Sequence, residues 1–193
     1  MKDWIQNYSL EFFKATNSIS VEKVGTLIEI LRNCLIEERQ IFVVGNGGSA
    51  SNASHFATDL SKGGSDAVGK RFKCMSLNDN VSWMTALAND YDYDEIFVGQ
   101  LRNFANPQDL LIGLSVSGDS PNVVKAMNWA KENGLSTFAL TGARRGKITG
   151  IADDCLVINS DHYGRVEDAQ MMICHILCYA FMENPEMASP RSD

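Results

Sequence analysis

Three histidines occur in this 193-residue sequence, and one of them has a carboxylate four positions further on. His55 and Asp59 lie in SNASHFATDLSKG, a spacing that puts both on one face of a helix. Such a pair can hold a metal ion or relay a proton, or it can be a simple surface ion pair. His175 lies in RVEDAQMMICHILCYAFME, eight positions after Glu167, and His162 completes the set. A lone histidine in so apolar a helix is also commonly a satisfied core residue.

Two loops offer a different chemistry. Gly45-Asn46-Gly47-Gly48-Ser49 follows the apolar run QIFVVG, and a helix is expected to begin near Ala50 or Ser51. Ser115-Val116-Ser117-Gly118-Asp119-Ser120 follows DLLIGLS and precedes PNVVKAMNWAKENG, where Pro121 suits a first helical turn. Glycines allow close backbone approach, and a helix N-terminus offers free N–H donors with a partial positive charge. The hydroxyls of Ser115, Ser117 and Ser120 beside two such termini suit a phosphate monoester. Capping and turn formation are the plainer uses of these residues, but two such loops after two different strands favour an anion site.

The same loops argue against nucleotide chemistry. The first lacks the lysine of a triphosphate-binding loop, and Gly45-x-Gly47-x-x-Ala50 is only a loose match to a dinucleotide fingerprint. An acidic residue about twenty positions on is not clearly supplied, because Asp79 lies too far along. No nucleotide cofactor is expected. Basic residues number 17 against 24 acidic, a formal charge of −7 without a basic run, which speaks against a nucleic-acid partner. Any anion must be held by a local cradle.

The elements that position these residues follow from hydrophobic pattern. Trp4, Ile5, Tyr8, Phe12 and Ala15 recur at helical spacing over residues 3–16. A second helix is expected over 20–37, with Ser20 as N-cap and an apolar stripe from Val21 to Leu35. Both stripes read as core, although the first could bury its aromatics against another subunit. From residue 40 the runs QIFVVG, FKCMSL, DLLIGLS, STFALTG and DCLVINS alternate with helical stretches near 50–61, 80–103, 121–133, 144–152 and 165–182. Continuous apolar runs indicate strands buried on both faces, and the alternation implies a parallel sheet with right-handed crossovers. The expected fold is an α/β three-layer sandwich with a five-stranded, flavodoxin-like parallel sheet. Residues 1–38 form a helical lead-in, 39–183 the ligand-binding body, and 184–193 a frayed tail.

Five cysteines without a CxxC pair read as reduced core residues. No stretch resembles a signal peptide or a bilayer span, so a cytoplasmic protein without membrane association is expected.

Taken together, GNGGSA, HFATDL, LSVSGDS before NVVKA, LTG and RVEDAQMMICHIL resemble the sugar isomerase (SIS) domain, and more closely the phosphoheptose isomerases. The resemblance spans nearly the whole chain. It implies aldose–ketose isomerisation of sedoheptulose 7-phosphate to D-glycero-D-manno-heptose 7-phosphate through an enediol, a zinc site, and active sites at the interfaces of a homotetramer. It also implies that Asn46, Gly47, Gly48 and Ser49, with Asn89 and Asp90 of ALAND, line the sugar phosphate. Ser115, Ser117 and Ser120 would hold the phosphate. His55, Asp59, Glu167 and His175 would form the metal set, Glu167 also touching substrate, with Asp59 as base and His175 as acid–base partner.

Four positions depart from the family pattern. Asp59 replaces a glutamate, Glu167 a glutamine, Val116 a common threonine, and Gly164 an aspartate. Two carboxylates and two imidazoles would neutralise a zinc ion and weaken it as a Lewis acid. Geometry adds a constraint. On one continuous helix Glu167 and His175 are about 12 Å apart along the axis. Either the helix starts after Glu167, or a neighbouring subunit completes the site. The rival expectation is a non-catalytic SIS module that binds a phosphosugar or, like the DnaA-associating relatives, a protein partner.

Overall fold

A computed structural model describes residues 1–189. Two helices lead in, α1 (Lys2–Asn17) and α2 (Val21–Ile36). Then follow β1 (Gln40–Gly45), α3 (Gly48–Thr58), a π-helical segment (Asp59–Gly64), α4 (Ser65–Val68) and β2 (Lys73–Ser76). Next come α5 (Val81–Asp90), α6 (Glu95–Phe104), β3 (Leu110–Ser115) and α7 (Pro121–Glu132). The chain closes with β4 (Ser136–Thr141), α8 (Ile148–Ile151), β5 (Asp154–Val157) and α9 (Tyr163–Glu183).

All strand pairs are parallel, in the order β2-β1-β3-β4-β5. This is the flavodoxin-like order, and the chain leaves β1 towards β2 on one side while β3 lies on the other. The period of two along each strand divides the core into two layers. Ile41, Val43, Ile112, Phe138 and Leu140 face a cluster built with α2, α3 and α9. Phe42, Val44, Leu111 and Ala139 face α6, α7 and α8. Strands buried on both sides therefore read as unbroken apolar runs, as the sequence does.

Ser20 caps α2 by accepting from the Lys23 N–H at 3.2 Å. Three expectations change. The helix expected over 80–103 is two helices, broken at Tyr91–Asp94, where the Asp92 carboxylate accepts from the Asp94 N–H at 2.7 Å. The stretch 144–152 is helical only over 148–151, because Arg145 and Gly146 both take positive φ in the preceding turn. The stripe of α1 is not core throughout. Ala15 is buried and Phe12 packs against the same core layer, but Trp4, Ile5, Leu10 and Phe13 are exposed.

Tyr8 ties α1 to the start of α9. Its hydroxyl donates to Asp168 at 3.3 Å, and its ring lies under the Arg165 guanidinium at 5.0 Å. A Cβ on Gly164 would stand 2.9 Å from that hydroxyl, so the space an aspartate side chain would need there is taken. Of the expected tail, Pro185–Ala188 forms a 3-10 turn against α2, held by Arg32 donating to the carbonyls of Met187 and Ser189. Residues 190–193 lie outside the described residues. None of the helices among the described residues is long and apolar enough to cross a membrane.

All five cysteines are unpaired, and three of them (Cys34, Cys174 and Cys178) are buried. Burial pushes the Cys34 and Cys174 thiols up to about 12, and raises Cys178 as well. These thiols are therefore inert packing groups at neutral pH. Maleimide at pH 8 should leave all three unlabelled in the native protein and label them within minutes in urea, as read by peptide mass spectrometry. Rapid native labelling of Cys174 would contradict the packing of α9.

Candidate active site

The carboxyl end of the sheet carries both chemistry-bearing clusters. After β1, the Asn78 amide clamps Gly45 by donating to its carbonyl at 2.8 Å and accepting from its N–H at 3.2 Å. Helix α3 begins at Gly48, two or three residues before the expected start at Ala50 or Ser51. A Cβ on Gly48 would lie 2.4 Å from the Glu167 carboxyl group, so the missing side chain is what lets Glu167 lie across the loop. Asn52 donates to the Glu167 carbonyl at 2.8 Å and fixes the same contact from the side.

After β3, the serine loop is braced from within. The Gly118 N–H donates to Ser115 Oγ at 3.1 Å, the Asp119 N–H to Ser117 Oγ at 3.2 Å, and Ser115 and Ser120 hydroxyls meet at 3.3 Å. Gly118 has φ +72°, and a Cβ there would meet the Arg145 carbonyl at 2.0 Å. The turn at Arg145 and the serine loop thus support each other, with the Lys147 N–H donating to Asp119 at 3.0 Å.

Between the loops lies a small cavity of about 60 Å³ lined by Asn46, Ser49, Ser115, Ser117, Ser120 and Glu167, with Tyr163 at its rim. Its lining contains no lysine or arginine. The serine hydroxyls and the Asn46 amide are neutral donors of the kind that hold anions, and Glu167 adds a carboxylate acceptor at one side. The Val116 side chain is largely buried, so the position where a threonine would add a hydroxyl is apolar here. Ser49 is itself oriented, donating to Gln170 Oε1 at 2.9 Å, while Gln170 Nε2 donates to the Leu140 carbonyl at 3.3 Å. Gln170 is fully buried and was not foreseen, since a single amide in an apolar helix carries no pattern.

The second cluster is built by α3, the π-helical segment and α9. His55 Nε2 lies 3.1 Å from Asp59 Oδ2, His175 Nε2 lies 3.8 Å from the same oxygen, and the two Nε2 atoms are 3.2 Å apart. Asp59 opens the π-helical segment, whose wider turn ends where the Ser65 N–H donates to the Leu60 carbonyl. Such turns interrupt α-helices mostly at functional sites. Side chains of His55, His175 and Asp59 are 48%, 44% and 33% exposed, so their mutual attraction adds little to stability.

The donor set fits a zinc ion. Three ligands at zinc–nitrogen and zinc–oxygen lengths around a tetrahedral centre stand about 3.3 Å apart, close to the separations found. Among the described residues the three donor atoms converge without a fourth. Glu167, expected in the same metal set, is absent from that group and lines the hydroxyl cavity instead. Helix α9 runs unbroken from Tyr163 to Glu183, so the first alternative, a helix that starts after Glu167, is removed. Asn89 and Asp90, at the exposed end of α5, bond to each other at 3.0 Å and do not line the cavity.

Residues 6–142 match the SIS domain, and the chain belongs to that family. It is 41% identical over 157 residues to a phosphoheptose isomerase of Helicobacter pylori (strain P12), covering 81% of this chain and 79% of that protein. A probable phosphoheptose isomerase of Thermoplasma volcanium is 38% identical over 165 residues, covering 86% and 84%. Among solved structures, the phosphoheptose isomerase of Neisseria gonorrhoeae superposes with a TM-score of 0.86 at 29% identity, covering 94% of this chain and 98% of that one. That of Francisella tularensis gives 0.84 at 26% identity, covering 94% and 97%.

Gly118→Ala should destabilise the protein by about 2–4 kcal/mol in urea unfolding, through strain at positive φ and the clash with Arg145. It should also weaken inorganic phosphate binding at least tenfold by calorimetry. An unchanged stability and affinity would show that the loop does not depend on this turn.

Proposed function

We propose that this chain is an aldose–ketose isomerase that converts sedoheptulose 7-phosphate to D-glycero-D-manno-heptose 7-phosphate through an enediol. The observation that carries this reading is the placement of a hydroxyl-lined cavity without basic side chains, bordered by Glu167, and a His–Asp–His cluster on the same α3–α9 pair. One binds the inert end of a phosphosugar and the other reaches its carbonyl end. The kinship with phosphoheptose isomerases supports the same reaction class.

In this reading Ser115, Ser117 and Ser120 anchor the phosphate, and Asn46, Gly47, Gly48 and Ser49 shape the wall beside it. Remote binding then fixes the reactive carbons. Asp59 removes the proton next to the carbonyl. Its Oδ2 faces both imidazoles, which leaves Oδ1 to take that proton. His175 moves the proton between the two substrate oxygens, and Asp59 returns its own to the neighbouring carbon. His55, Asp59 and His175 would hold a zinc ion, whose chemistry when bound is to polarise the substrate carbonyl. Glu167, acceptor only when ionised, would take a hydrogen bond from a sugar hydroxyl beside the phosphate.

The working unit is proposed to be a homotetramer. Trp4, Ile5, Leu10 and Phe13 leave exposed apolar side chains around α1 that further copies would cover. Asn89 and Asp90 would reach a sugar only across such an interface. Five unpaired cysteines suit the reducing cytoplasm.

Sedoheptulose 7-phosphate followed by NMR tests the reaction. Wild-type protein should form the aldose, chelator should suppress turnover, and His175→Ala should lower kcat by at least about a hundredfold. Tight phosphosugar binding without turnover would point to a binding module instead. Metal analysis should return zinc near one per chain, and a metal-free, fully active enzyme would remove the zinc assignment. A fully active monomer in sedimentation would remove the oligomer.

A further inference from the structure

Asn46 is the cavity residue with the most closely specified orientation. Its Nδ2 donates to Asn122 Oδ1 at 2.8 Å, and Asn122 Nδ2 donates back to Asn46 Oδ1 at 2.9 Å. The two amides therefore form a closed pair. Which atom is oxygen and which nitrogen is fixed by the backbone, because the Val123 N–H donates to Asn122 Oδ1 at 2.9 Å. An amide NH₂ cannot accept that bond, so Asn122 must present its oxygen there and its nitrogen to Asn46. Tyr93 adds a third hold, its hydroxyl donating to Asn46 Oδ1 at 3.3 Å.

The count of bonds sets what Asn46 has left. Asn46 Oδ1 accepts from both Asn122 and Tyr93, which fills its two lone pairs. One Nδ2 hydrogen is used on Asn122. A single N–H remains, on a residue that lines the hydroxyl cavity. The pair also bridges the loop after β1 and the first turn of α7 after β3, on either side of the switch point of the sheet.

We infer that Asn122 and Tyr93 are positioning residues: they act through Asn46, holding its amide so that the free N–H donates to a phosphosugar oxygen and the oxygen cannot turn towards it. This rests on the phosphosugar reading above. The device guards polarity. A freely rotating asparagine would spend part of its time presenting a carbonyl to an anion, which repels it. Asn122 is 1% exposed and does not line the cavity, whereas Tyr93 is 56% exposed and can be altered without disturbing the core.

A double-mutant cycle on the full chain tests this, with affinity for sedoheptulose 7-phosphate and inorganic phosphate read by calorimetry and thermal unfolding recorded alongside. Asn122→Ala should weaken phosphosugar binding about tenfold and Tyr93→Phe about threefold, with KM rising more than kcat falls. In an Asn46→Ala background each effect should shrink below about twofold, because the residue they act through is gone. The same factors persisting in that background would overturn the inference, as would wild-type affinity in both single variants. Tyr93→Phe keeps the question open to test should Asn122→Ala unfold. Failure of the wild-type protein to bind either ligand would overturn the functional reading and this inference together. Normal wild-type binding with unaffected variants would overturn this inference alone.

Discussion

Everything at the candidate site depends on the packing of α9 along α3. Contacts between them run in step along both chains: Glu167 on Gly48, Gln170 on Ser49, His175 on His55, and Met182 beside Gly63. The two helices therefore lie side by side and point the same way. Their N-terminal ends frame the anion cavity, and one to two turns further on their side chains form the His–Asp–His cluster. The apolar layer beneath, with Phe56, Leu60, Ile173 and Leu177 buried, supplies the stability that the half-exposed cluster does not.

The parallel sheet explains why this pairing carries a hydroxyl-lined cavity beside the His–Asp–His cluster. It places the ends of β1 and β3 next to each other, so the two loops that follow meet at the switch point. The serine loop offers hydroxyls and the glycine loop offers access. Neither contributes a positive side chain, in keeping with the net charge of −7. Anion affinity must then come from orientation of neutral donors, and the network is built for that: Gln170 turns Ser49, Asn122 and Tyr93 turn Asn46, and Arg145 supports Gly118.

Much of this was legible in the sequence because the signals were local. Five continuous apolar runs gave the strands, and the residues just after them gave both loops. His55 and Asp59 were readable from a spacing of four. The departures have a common cause in tertiary context. Nothing local marks the π-helical turn at Asp59; the exception is the break at Tyr91–Asp94, which the turn-forming Asp90, Asp92 and Asp94 do mark locally. Buried amides such as Gln170 and Asn122 gain their roles only from partners far along the chain. The apolar stripe of α1 was readable as amphipathic, but a stripe does not say whether its own chain covers it. Glu167 was grouped with the metal residues by resemblance, and α9 places it with the hydroxyls because eight residues of helix separate it from His175.

The central claim is that one site binds a phosphosugar and moves its proton through Asp59. The most direct test is Asp59→Asn, which keeps the shape and removes the base. Its affinity for sedoheptulose 7-phosphate and its single-turnover rate, followed by NMR, separate the two halves of the claim. Affinity within about threefold of wild type and a rate lowered by at least about a hundredfold is the result this account requires. Turnover at the wild-type rate would contradict it.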